Sequence, residues 1–228
     1  MFNNKRIIVS MTSWKKRIQN VSKVVYSIYM NTVKPDSIEL NLSTDEFTNK
    51  EKDLPEDLLT LVDTNILKIN WVKENTGVFK KFIPVLKKYK LEDFYLFSCD
   101  DDWLYNKEFI SMMLIRLGNS DYYSLQNPKS VIGNSTVYRS ILFKDNFETI
   151  ITNELVKIGI SDYYITQYLT FYGYKQPIAK HNKIYDFATP FNQIFPNSHN
   201  KTNGNGDYDK NRVNAAIKET NKIIRSLK

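Results

Sequence analysis

Cysteine is almost missing from this chain: Cys99 is the only one in 228 residues. That excludes a disulfide framework and a cysteine-rich zinc cluster. No apolar run approaches the roughly 20 residues needed to cross a bilayer. The opening stretch Met1–Arg6 carries no apolar region of about 7–15 residues behind its basic residues, so no signal peptide is expected. Four Asn-x-Ser/Thr sequons, at Asn20, Asn41, Asn134 and Asn200, then read as products of an asparagine-rich composition. Internal repeats and Pro/Gly-rich linkers are also lacking, which favours one domain.

What is present is enough to build a core. Hydrophobic residues make up 42% and aromatic residues 14%, which argues against intrinsic disorder. A globule of this length buries roughly 70% of its unfolded surface and needs no covalent staples. The net charge is +7, carried mostly by lysine. Together with abundant asparagine, isoleucine and tyrosine, this usage resembles that of an AT-rich bacterial genome. A basic surface can attract phosphates, nucleic acid or anionic membrane.

Periodicity predicts an α/β protein. Ile7–Ser10 reads as a strand, and Val21, Val24, Val25, Ile28 and Tyr29 form a helical stripe ended by Pro35. Ile38–Ser43 alternates as a strand, Asp53-x-x-Glu56 with Pro55 predicts a capping box, and Ile66–Val72 supplies a third strand. Phe79, Phe82, Ile83 and Leu86 predict a helix, with Pro84 tolerable only in its first turn. Phe94–Phe97 is wholly apolar, the kind of strand buried on both faces of a parallel sheet, and a helix marked by Phe109, Ile110, Met113, Leu114 and Leu117 follows it. The expected architecture is a single domain with a twisted, mostly parallel sheet and helices on both faces.

The second half is less regular. Tyr122–Leu125 and Val131–Tyr138 are candidate strands, and Asp145-x-x-Glu148 predicts a capped helix carrying Phe147, Ile150, Ile151, Leu155 and Ile158. Tyr164, Ile165, Tyr168, Leu169 and Tyr172 mark another helix. Asn197–Asp209 reads as a loop. A basic amphipathic helix then closes the chain, with Val213, Ala216, Ile217, Ile224 and Leu227 on one face.

Asp100-Asp101-Asp102 follows the apolar strand, at the strand end where open α/β sheets bind ligands. Three adjacent carboxylates repel one another. A divalent cation with oxygen ligands, Mg²⁺ or Mn²⁺, is a remedy that also bridges to phosphates. Spacing alone says little, since about one Asp-x-Asp is expected by chance at this composition. A second, Asp207-Tyr208-Asp209, lies in the Asn/Gly loop and suits a helix N-cap. A phosphatase of the haloacid-dehalogenase type would carry the motif after its first strand, with Thr or Val where Leu104 stands.

From Ile7 to about Tyr174 the chain resembles a family of small bacterial glycosyltransferases of GT-A type. The carriers are Ile7–Ile18, Asn31–Asp36, Leu40–Phe47, Glu74–Gly77, Lys80–Leu86 and the aspartate triplet. The resemblance implies sugar transfer from a nucleotide-sugar donor to an acceptor hydroxyl on a glycan or lipid-linked acceptor. A donor half (1–118), an acceptor half (119–196) and a terminal loop and helix (197–228) follow from it. Thr12, Ser13, Arg17, Asp45 and Lys81 would hold the donor, together with Asp100, Asp101 and Trp103. Hydroxyls and an arginine fork at a strand end suit phosphate and base recognition.

Asp100 and Asp102 would bind Mn²⁺ or Mg²⁺, with His181, or alternatively His199, as a further ligand. Asp162, in Ser161–Tyr164, is the implied base of an inverting transfer; the family has an acidic pair there, and Ser161 replaces its first member. The implied role is bacterial surface polysaccharide or glycolipid synthesis, in the cytoplasm or at the inner membrane face.

Two other readings compete. A sugar-phosphate nucleotidyltransferase would show a Gly-rich loop after the first strand, whereas Met11–Arg17 has cations but no glycine. A nucleic-acid-binding domain would gather cations and aromatics on one face; here the lysines are dispersed, and no nucleic-acid partner is expected. The final helix, with Lys218, Lys222, Arg225 and Lys228, suits either peripheral membrane contact or a solvated face packed on the domain.

Overall fold

A computed structural model describes residues 5–125, 135–175, 188–190 and 210–227. Strand β1 (Arg6–Thr12) leads to helix α1 (Val21–Tyr29), then β2 (Ser37–Ser43), α2 (Glu56–Asp63) and β3 (Lys68–Val72). Helix α3 (Ile83–Lys88), β4 (Phe94–Cys99), the short β5 (Trp103–Tyr105) and α4 (Phe109–Leu117) follow. The second half adds β6 (Tyr122–Ser124), β7 (Ser135–Arg139), α5 (Asn153–Ile158) and α6 (Asp162–Phe171), then β8 (Ala188–Pro190) and α7 (Lys210–Ser226).

Six strands form one sheet in the order β3-β2-β1-β4-β7-β6. The first four are parallel, and β7 runs antiparallel to both β4 and β6. The expected mostly parallel α/β sheet is therefore present. β6 and β7 extend it with strands from the second half of the chain, and β5 pairs with β8 in a separate ribbon.

Alternation along the strands divides the interior into two cores. Ile7, Val9 and Met11 of β1 face one core with Tyr95, Phe97 and Cys99 of β4, under α1, α2 and α4. Ile8, Phe94 and Leu96 face the other, filled by Phe79, Phe82, Leu155, Tyr164 and Tyr168. The β4 run is buried throughout, as its composition requires. With both faces packed, the ends of β1 to β4 are fixed relative to one another.

Local details depart from the sequence reading. Asp53 does not cap a helix: it ends a 3-10 turn, accepts hydrogen bonds from the backbone N and Nδ2 of Asn49, and leaves Pro55 at the N-cap of α2. Ile66 and Leu67 are drawn out of the third strand because their amides bond to Leu61 O after a turn at Asn65, where φ is +59°. Phe79 lies in a 3-10 turn, and α3 begins at Ile83, so Pro84 falls in the first turn. The helix expected at Asp145 begins instead after Thr152, whose Oγ1 accepts from Leu155 N at 3.2 Å. Glu148 pairs with Lys87 and Asp145 with Lys90, so neither carboxylate is available as a cap.

Helix α7 packs on α5 and α6 through buried Ala216, Thr220 and Ile223, while Lys218, Lys222 and Arg225 face solvent. Its apolar face is thus used within the fold. Among the described residues no helix is long and apolar enough to cross a membrane.

A polar ladder is built into the sheet. Asn41 donates to Ser10 Oγ at 2.9 Å and Met11 O at 3.0 Å, and Asn70 donates to Asn41 Oδ1 at 2.9 Å and Glu39 Oε2 at 2.7 Å. Glu39 is fully buried and also receives Ser37, Tyr89 and Lys88. Burial pushes its carboxyl up, but the hydrogen bonds from Lys88, Tyr89, Ser37 and Asn70 outweigh that and hold it below the ordinary carboxylate value. A depressed folded pKa means stability that is present above the unfolded value near 4.3 and is lost as pH falls through the folded one. Glu39→Gln is expected to unfold about 2 kcal/mol more easily at pH 7. The gap to the parent chain should narrow below about pH 4, as urea denaturation at several pH values would show.

Candidate active site

The carboxyl ends of the four parallel strands open onto one rim. Thr12 ends β1 and donates through Oγ1 to Asn41 O at 2.8 Å. Ser13 follows it, buried to 3% exposure, and Arg17 closes the same loop, its backbone N bonded to Trp14 O. Asp45 lies in the turn after β2, exposed, with its amide on Ser43 Oγ. Lys81 reaches the rim from the 3-10 turn before α3.

At the end of β4 the three aspartates meet cations. Arg17 Nη2 lies 2.6 Å from Asp101 Oδ1, and its Nη1 lies 2.7 Å from Asp102 Oδ2. Lys81 Nζ sits 2.6 Å from Asp100 Oδ1. One guanidinium fork thus spans two adjacent carboxylates, the geometry for which arginine is suited. Repulsion between neighbouring carboxylates of this kind is about 3 kcal/mol per pair at 5 Å and an effective dielectric of 20. The two cations offset most of it.

Burial raises the carboxyls of Asp101 and Asp102, Arg17 pulls both back, and the neighbouring aspartates push them up again. Ser13 Oγ and Asp101 Oδ2 are both buried without a hydrogen-bond partner, although the hydroxyl lies close enough to Asp101 to favour its charged form.

The turn is held from below by Tyr105. Its hydroxyl accepts from Asp100 N at 2.9 Å and from Ser135 Oγ at 2.9 Å, and donates to Asp100 O at 3.2 Å. Sequence reading missed this residue, and only its place three positions past the triplet hinted at it. Cys99 lies just below; burial and the nearby Asp100 charge push its thiol up to about 12, so it packs as an inert side chain. Trp103 is half-buried in β5, opposite Pro190 of β8.

Lys80 was also missed. It is buried, donates to Asn75 Oδ1 at 2.6 Å and lies 3.3 Å from Glu46. Burial lowers its ammonium, against the pull of Glu46 and Asp45. Gly77 starts the turn carrying both lysines at φ +56°, and a Cβ there would stand 3.2 Å from Val156 O, so glycine suits this position on two counts.

Asp162 is the first residue of α6, half-buried, with Ser161 at the N-cap. Its charge and that of Asp100 both reach the buried Tyr138 hydroxyl, whose pKa is raised well above normal, chiefly by burial. His181, His199, the Asn197–Asp209 loop and Asp207-Tyr208-Asp209 lie outside the described residues.

No three His, Cys, Asp or Glu side chains converge into a complete metal cage among the described residues. Asp100 and Asp102 offer oxygen donors only. Hard divalent ions such as Mg²⁺ are commonly held by one or two carboxylates completed by phosphate oxygens and water. The donor set fits that pattern, and the unpartnered Asp101 Oδ2 beside it marks further polar capacity at the same turn.

No protein-family profile and no curated sequence matches this chain. Solved structures do. 4-Diphosphocytidyl-2C-methyl-D-erythritol synthase from Anaerococcus prevotii is 12% identical, with a TM-score of 0.52 over 77% of this chain and 88% of that one. S. aureus TarS is 15% identical, with a TM-score of 0.50 over 73% of this chain and 33% of that one. Glucosyl-3-phosphoglycerate synthase from Mycobacterium tuberculosis, solved with Mn²⁺ and UDP, covers 61% of this chain and 57% of its own at 10% identity. Its TM-score of 0.46 is too loose a likeness to carry residue assignments. The chain spans between a third and about half of the TarS structures it matches. At these identities the likeness defines the fold, a GT-A-like α/β domain.

Tyr105→Phe should leave Asp100 N and Ser135 Oγ without their shared partner and cost about 1–3 kcal/mol. Chemical denaturation monitored by circular dichroism would measure it; an unchanged midpoint would show that the turn does not depend on this hydroxyl.

Proposed function

We propose that this chain is a glycosyltransferase that moves a sugar from a nucleotide-sugar donor to an acceptor hydroxyl, with a divalent metal and inversion at the anomeric carbon. The observation that carries it is the meeting of Arg17, Lys81 and three aspartates at the carboxyl ends of β1 and β4. Residues far apart in sequence converge there on the geometry needed to handle a diphosphate. The proposed setting is bacterial surface polysaccharide or glycolipid synthesis, with an acceptor on a glycan or lipid carrier. The first 118 residues would serve the donor and the next segment the acceptor.

In this reading Asp102 and Asp100 would hold Mn²⁺ or Mg²⁺, which would supply charge neutralisation for the departing diphosphate. Arg17 and Lys81 supply fixed positive charge to the same phosphates. Thr12 and Ser13 line the nucleotide edge, Asp45 faces the base or ribose, and Trp103 offers a ring for stacking. Asp162 takes the proton of the attacking hydroxyl. It stands in the first turn of α6, half-buried, where it can face an acceptor.

A second reading, a sugar-phosphate nucleotidyltransferase, is favoured by the synthase with a TM-score of 0.52. It would need a glycine-bearing phosphate loop after β1, where Met11–Arg17 has none. The product separates the two: a transferase releases a nucleoside diphosphate, or CMP from a CMP-sugar, whereas a nucleotidyltransferase releases pyrophosphate from a nucleoside triphosphate.

Thermal-shift measurements with UDP-, GDP-, CMP- and dTDP-sugars, with and without Mn²⁺, should give one manganese-dependent rise, since ligand at about 100 times Kd adds about 2.7 kcal/mol. Once a donor is found, Asp102→Asn should stay folded and lose roughly a hundredfold or more in kcat. Asp162→Asn should lower kcat by a comparable factor and remove the acidic limb of the pH–rate profile. Full activity in either variant would remove that residue from the mechanism.

A further inference from the structure

We propose that Arg17 and a divalent cation are alternative counter-ions of Asp102, exchanged as the donor diphosphate arrives, with Asp101 as the fixed anchor of the arginine. This rests on the donor-site reading above and goes beyond it by giving Arg17 two positions.

The two carboxylates that share the guanidinium are not equivalent. Asp101 is 2% exposed and Asp102 17% exposed, at 2.6 and 2.7 Å from separate nitrogens of the same fork. A divalent ion at Asp102 would compete with Nη1 for the charge of the same half-buried carboxylate, where two like charges repel more strongly than in water. In the proposed exchange Nη1 gives way. The Nη2 contact to Asp101 lies deeper and can persist, so the fork turns about Asp101 rather than swinging free. Phosphate oxygens of an arriving diphosphate would be acceptors for the released Nη1.

A second observation marks the same spot. Ser13 Oγ, 3% exposed, is buried beside Asp101 without a hydrogen-bond partner, and Asp101 Oδ2 is equally unpartnered. Polar atoms left unmatched under the fork are expected where an arrangement is one of two, because each buried unsatisfied group is costly when permanent.

The consequence is a metal affinity held down by the arginine. Mn²⁺ binding to the full chain, followed by electron paramagnetic resonance without nucleotide, should be at least tenfold tighter in Arg17→Gln than in the parent. The Mn²⁺-induced rise in Tm should be larger as well. Lys16→Gln removes a charge from an exposed neighbour on the same loop and should change affinity less than twofold, which separates displacement from general electrostatics. Asp102→Asn should weaken Mn²⁺ at least tenfold. If Arg17→Gln fails to fold, Arg17→Lys keeps the charge but cannot span both carboxylates, and several-fold tighter binding is expected.

Equal or weaker Mn²⁺ binding in the folded Arg17 variant, with binding still lost in Asp102→Asn, would overturn the exchange and leave the metal site standing. No Mn²⁺ binding in any variant, with or without added UDP, would overturn the exchange together with the metal-dependent reading.

Discussion

One arginine spanning a buried and a half-buried carboxylate sets the terms for this site. Three consecutive aspartates at a strand end are untenable without cations, and desolvation worsens their repulsion. Arg17 and Lys81 supply those cations from different parts of the chain, so the loop after β1 and the turn before α3 are tied to the end of β4 by charge. The fold determines which segments meet there, and the charges determine how close they come. A rim held in this way has its cations and carboxylates in fixed places.

The scaffold beneath works by exclusion of freedom. Two apolar cores clamp the sheet from both faces, and the ladder from Ser10 through Asn41 and Asn70 to Glu39 fixes the lateral register of β1, β2 and β3. A one-residue slip of β2 would put Glu39 among apolar side chains without Asn70, Lys88 and Tyr89, its partners on other elements. Tyr105 performs the same service vertically, fastening the aspartate turn to β7 through Ser135. Positions at the rim thereby inherit the rigidity of the sheet.

The sequence carries the sheet plainly because burial on two faces demands continuous apolar strands, and Phe94–Cys99 has no other reading. The helix stripe of α1 is equally clear, since Val21, Val24, Val25 and Ile28 are all fully buried. Caps were harder to read. Asp53, Asp145 and Glu148 have the right chemistry for helix starts, but a nearby asparagine or lysine claims each of them, and such local competition leaves no periodic trace. At the site, strand-end position and the family resemblance together brought out Arg17, Lys81 and the aspartates. Tyr105 and Lys80 stayed hidden, because a buried polar tyrosine or lysine looks like any other until its partners in distant segments are known.

The burial of Cys99 has a practical side. A lone thiol that stays protonated and walled in behind β4 leaves the folded chain, to external reagents, effectively thiol-free. A cysteine introduced at any exposed position would then take a fluorophore or spin label selectively. Distances across the rim become measurable without first re-engineering the interior.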